Sequence, residues 1–134
     1  MKKRNHKSKV VTLIRSALPT ILVMLLTLSS SSYATNGIIC NGTIKTIGVH
    51  GTDRVMLRLS GMNTLVNICN LNKTLGSFVP ISPEQCKVVY STLLTGYAMG
   101  KTMSVYFDNV VNGTSCSTFK GWEVATARWV HLDG

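Results

Sequence analysis

The first 34 residues most constrain what this chain can fold into, because they read as an export signal and so set the size, charge and redox state of all that follows. Lys2, Lys3, Arg4, Lys7, Lys9 and Arg15 form a positive leading region, Ala17 to Leu28 an apolar core, and Ser32-Tyr33-Ala34 a small-x-small cleavage site. The apolar stretch is shorter than the roughly 20 residues that a membrane-spanning helix needs. Pro19 and the serine run Ser29 to Ser32 weaken a membrane anchor further. The expectation is a cleaved signal peptide over 1–34 and one folded domain over 35–134, secreted or periplasmic, with no membrane insertion after cleavage.

The whole chain carries a formal net charge of +9, which alone would invite a nucleic-acid partner. Six of the fourteen Lys and Arg lie in the signal and all five acids lie after it, leaving eight bases against five acids and a net +3. Lys45, Arg54 and Arg58 fall on one expected outer face. They are few for an affinity that rises with each phosphate neutralised, so they read as a solvated face and no nucleic acid is expected as partner.

All four cysteines, Cys40, Cys69, Cys86 and Cys116, follow the signal, in a compartment that oxidises thiols. A metal site would want close C-x-x-C pairs, whereas the gaps here are 29, 17 and 30 positions with no His beside any Cys. Two disulfides are expected and no metal. Four cysteines allow three pairings, and spacing does not choose among them. The pairing favoured is Cys69 with Cys86, across the loop before the helix, and Cys40 with Cys116.

The clearest element runs from Ser82 to Gly100. Ser82 suits an N-cap, Pro83 the first helical position, and Gln85 completes a capping box. Cys86, Val89, Tyr90, Leu93, Leu94 and Tyr97 recur at helical spacing, and Gly100 is placed to end the helix. Three strand-like runs precede it: Ile38 to Val49 with Gly42 as a bulge or bend, Arg54 to Ser60, and Thr64 to Leu71. In the second run Val55, Leu57 and Leu59 face one way, while Arg54, Met56, Arg58 and Ser60 face the other. In the third, Val66 and Ile68 are the core pair. Thr102 to Phe107 and Glu123 to Leu132 follow the helix. The order β-β-β-α-β-β makes the fold class α+β, mainly β. It is that of a five-stranded OB-like barrel with one amphipathic helix, stabilised by disulfides. An open sheet with a helix on one face has the same pattern.

Little in the sequence points to catalysis. His50 and His131 are the histidines left after the signal, one in a turn and one at the chain end. A nucleophile, base and acid would have to meet in space, and five scattered acids form no paired motif. No catalytic residue, cofactor or phosphate loop is expected. The aromatic residues offer more, since their faces stack on sugar rings. Tyr90, Tyr97 and Phe107 fall on core-facing positions. Tyr106, Phe119 and Trp122 are less constrained and are the candidate ligand-binding residues; Trp129 is a further aromatic with no assigned place. Asn41-Gly-Thr43, Asn72-Lys-Thr74 and Asn112-Gly-Thr114 match the glycosylation acceptor but read chiefly as Asn-rich turns.

The segment Ser82 to Phe107, Ser-Pro-Glu-Gln-Cys-Lys-Val-Val-Tyr-Ser-Thr-Leu-Leu-Thr-Gly-Tyr-Ala-Met-Gly-Lys-Thr-Met-Ser-Val-Tyr-Phe, resembles the helix and following strand of small secreted bacterial proteins. Those proteins are similar to the B subunits of subtilase cytotoxin and of pertussis-like toxins. The resemblance implies an OB fold and, for toxin subunits, a ring of five that binds sialylated or related glycans. The expected function is an exported, non-enzymatic binding module. Its partners would be a glycan or an extracellular protein, with a homo-oligomer as a further possibility. The alternative is a structural or inhibitory protein, periplasmic or extracellular, that binds a protein partner. N-terminal sequencing of the exported protein is expected to begin at Thr35; an intact Met1 terminus on exported material would refute the signal reading.

Overall fold

The computed structural model describes residues 37–133. The expected signal peptide lies outside the described residues. Among them are five strands and one helix: β1 (Ile38–His50), β2 (Arg54–Leu59), β3 (Val66–Asn70), α1 (Pro83–Ala98), β4 (Thr102–Asp108) and β5 (Thr126–Leu132). The strands form one antiparallel sheet in the order β3-β2-β1-β4-β5.

The long strand β1 is shared between two partners. Ile38 to Thr43 pair with β4, and Ile44 to His50 pair with β2. The change of partner falls just after Gly42, the position expected to bend, while the irregularity in the β1–β2 register lies between Ile44 and Thr46. The sheet is not closed. Its two ends approach at a single parallel bridge, Asn67 to Val124, where Asn67 N–H donates to Glu123 O at 2.8 Å and Ala125 N–H to Asn67 O at 3.0 Å. Residues 123–125, expected as the start of the last strand, therefore lie beside β3, and β5 begins at Thr126.

Val55, Leu57, Leu59, Val66 and Ile68 are fully buried as their alternation predicts. Met56 is buried as well, against the expectation that it faces outward with Arg54 and Arg58. The β2–β3 register slips between Val55 and Met56, so three successive residues of β2 are covered.

Helix α1 starts as its sequence dictates. Ser82 Oγ accepts from Gln85 N–H at 3.3 Å and Gln85 Oε1 accepts from Ser82 N–H at 2.9 Å, so both arms of the capping box form. It ends at Gly100, whose φ of +62° closes the last turn with Gly100 N–H to Tyr97 O and Lys101 N–H to Gly96 O, both 3.1 Å. The buried line runs through Cys86, Val89, Leu93 and Gly96. Leu94 and Tyr97, expected on that face, are exposed. The reason is Gly96: a Cβ there would lie 2.3 Å from Met103 Sδ, so the helix descends onto β4 at this residue and turns 94 and 97 outward.

Both disulfides form, pairing Cys40 with Cys116 and Cys69 with Cys86. The first ties β1 to the loop after β4, and the second ties the end of β3 to α1. Such bridges belong to a non-reducing compartment. Among the described residues no helix is long and apolar enough to cross a membrane.

Chain-entropy arguments scale a bridge with the loop it closes. Replacing Cys40 and Cys116 by Ala, separated by 76 positions, is expected to cost about 4 kcal/mol; the same change at Cys69 and Cys86, separated by 17, should cost about 3 kcal/mol. Urea unfolding of the two variants measures the difference.

Candidate functional site

The densest group of recognition-type side chains lies on the outer surface of β4 and β5, and a β-bulge makes it. Tyr106 pairs with Trp129, but the next residue of β4, Phe107, pairs with Ala127, leaving Arg128 as an extra residue on β5. In a regular strand neighbours point to opposite faces. The bulge lets Arg128 and Trp129 be exposed in succession, at 48% for Trp129.

Arg128 is held from two sides. Its Nε lies 2.7 Å from Oδ2 of Asp108, a carboxylate almost wholly buried, and its guanidinium carbon stands 5.7 Å from the centre of the Tyr106 ring. A buried carboxylate requires a counter-charge, and Arg128 supplies it as an ion pair in which Oδ2 accepts no hydrogen bond; the cation over the Tyr106 ring adds a weaker attraction. Trp129 stacks on His131 with ring centres 5.4 Å apart and planes at 5°. Across the sheet Ile39, Tyr106 and Trp129 occupy one row, and Ile39 is 54% exposed.

Two hollows flank Arg128. One, of about 360 Å³, is lined by Tyr106, Arg128 and Trp129. The other is larger, about 620 Å³, and lies between α1 and β5; Val79, Pro80, Ile81, Glu84, Val88 and Arg128 are among its walls. Glu84 sits in the first turn of α1, where hydrogen bonds from its own backbone N–H and from the Ser82 hydroxyl, helped by Lys87, hold its carboxyl below the ordinary range.

The loop wall of the larger hollow is positioned by Asn109, which adopts a φ of +59° directly after β4. Its Oδ1 accepts from Ser77 N–H at 3.1 Å and Phe78 N–H at 2.9 Å; its Nδ2 donates to Val79 O at 3.0 Å and to the Thr126 hydroxyl. One side chain thus ties the loop ahead of α1 to the start of β5.

The three aromatics singled out by sequence do not converge. Tyr106 belongs to the group around Arg128. Phe119 is 3% exposed and packs edge-on against Phe107 with ring centres 5.5 Å apart, so it is a core residue and offers no face to a ligand. Its polar neighbours Thr118 and Lys120 concealed an inward-pointing ring. Trp122 is exposed and adopts a φ of +66°, with His50 edge-on at 4.5 Å, but it lines neither hollow beside Arg128. Sequence reasoning left Trp129 unplaced and missed Asp108 and Arg128. Nothing in a strand's periodicity marks a bulge, which exists only through the register of two strands.

Comparison of the chain with protein-family models, curated proteins and solved structures gives no match.

Asn109→Ala removes four hydrogen bonds and leaves a residue with a Cβ at positive φ. The expected loss is about 2–4 kcal/mol, with Asn109→Gly about 1 kcal/mol less severe because it tolerates the backbone conformation. Urea unfolding of both variants checks the order.

Proposed function

We propose that the chain is an exported, non-enzymatic binding module that holds a glycan on the outer face of β4 and β5. The observation that carries this reading is the bulge that sets Arg128 beside Trp129 and Tyr106. Flat aromatic rings meet the C–H faces of sugar rings, and a guanidinium supplies fixed donors to hydroxyl or carboxylate oxygens. Asp108 and Tyr106 restrict the motion of Arg128 before a ligand arrives, which lowers the ordering cost of binding. The β-β-β-α-β-β order, the contact of β3 with residues 123–125 and the likeness of Ser82 to Phe107 to toxin B subunits support an OB-like module of that general kind, and with it a homo-oligomer.

A second reading rests on Ile39. It extends the row of Tyr106 and Trp129 with an exposed aliphatic side chain, which suits a protein partner better than a sugar.

A glycan array probed with the purified protein, together with native mass spectrometry, tests these readings. Saturable binding to a restricted set of oligosaccharides is expected, weakened about tenfold or more by Trp129→Ala. Absence of glycan binding from a strict monomer would count against the toxin-subunit version. Retention of one stoichiometric extracellular protein, lost in Ile39→Ser, would favour the second reading.

A further inference from the structure

The larger hollow is not needed for a sugar lying on Tyr106 and Trp129, yet it has the features of a ligand site in its own right. Its volume of about 620 Å³ falls within the span of roughly 300–1,000 Å³ typical of small-molecule sites. Its walls are chiefly apolar. Val79, Pro80 and Ile81 come from the loop that Asn109 holds, and Val88 and Val89 from α1. Val88 is 65% exposed, a β-branched side chain on a helix surface that borders this hollow.

The charged side chains that line it are Glu84 and Arg128. Glu84 is exposed on the outer turn of its helix, so solvent screens its charge from a ligand lying in the cleft. Arg128 is differently placed. Its contacts among the described residues are Asp108, through Nε, and the Tyr106 ring. A guanidinium has five N–H donors and no acceptor, so its terminal nitrogens remain for a ligand that brings acceptor oxygens. The carboxylate paired with it is itself buried, while the Arg128 side chain is 53% exposed and stands at the mouth of the cleft.

We propose that the cleft between α1 and β5 is a second binding site, for an amphipathic organic anion. Its hydrocarbon portion lies against Val79, Pro80, Val88 and Val89, and its carboxylate, sulfate or phosphate is held by Arg128. The site does not depend on the glycan reading, although the two share Arg128.

Titration calorimetry and amide NMR on the purified protein, with probes kept below their micelle-forming concentrations, test it. The anionic probes are sodium decanoate, decyl sulfate and decyl phosphate; 1-decanol and decyltrimethylammonium are the neutral and cationic controls. One-to-one binding of at least one anion is expected, with amide shifts at Val79, Val88 and Val89, and about tenfold weaker binding of both controls. The preferred anion identifies the head group. Val88→Gln is expected to weaken the anion about tenfold and to leave glycan binding unchanged. Trp129→Ala is expected to do the reverse.

Because Arg128→Gln alone strands a buried carboxylate, the charge is tested in Arg128→Gln with Asp108→Asn. In that pair the preference for the anion over 1-decanol should vanish. No saturable binding of any anion, equal binding of anion and alcohol by the unaltered protein, or decanoate binding that survives Val88→Gln but fails in Trp129→Ala would each overturn the proposal. Anion binding without glycan binding would support it and count against the glycan reading alone.

Discussion

The divided pairing of β1 is the constraint on which the rest of the structure depends. A single strand of 13 residues gives its first half to β4 and its second to β2, so both halves of the sheet hang from it. That division lets β3 and residues 123–125, from opposite ends of the strand order, come into contact at Asn67 and Val124. It also leaves one end for α1 to cover, with Gly96 admitting Met103. The disulfides reinforce the same frame: Cys40 anchors the first half of β1 to the loop after β4, and Cys69 anchors the end of β3 to the helix.

On that frame the surface around Arg128 is built by departures from regularity. Asp108 is the last residue of β4, Asn109 turns the chain with a positive φ, and Arg128 is the extra residue opposite. Each has an energetic cost: a buried charge, an unusual backbone conformation, an interrupted ladder. The ion pair and the four hydrogen bonds of Asn109 offset those costs locally. The result is a guanidinium held between two hollows of different character, one aromatic and open, the other aliphatic and deeper.

Much of the framework was legible along the chain. The capping box of Ser82 and Gln85, the terminating Gly100 and the alternation of Val55, Leu57 and Leu59 are local patterns with local causes. The favoured cysteine pairing agrees with the structure, although spacing alone left three choices open. The candidate site was legible only at Tyr106. Phe119 was misread because a ring in a polar loop can still turn inward onto Phe107. Trp129 was left without a place and Arg128 was not considered, because no periodicity marks the bulge that exposes them in succession.

The sequence by itself determined where the helix begins and ends, which strand residues are apolar enough to be buried, and that the thiols lie too far apart to form close-paired metal motifs. These follow from interactions among residues a few positions apart, such as caps and side-chain periodicity. Only the tertiary structure decided that β1 would divide its partners, that the helix would turn Leu94 and Tyr97 to the surface, and that Arg128 would stand beside Trp129. Those outcomes depend on register and close approach between segments distant in the chain, and no local pattern encodes which strand residue is left without a partner.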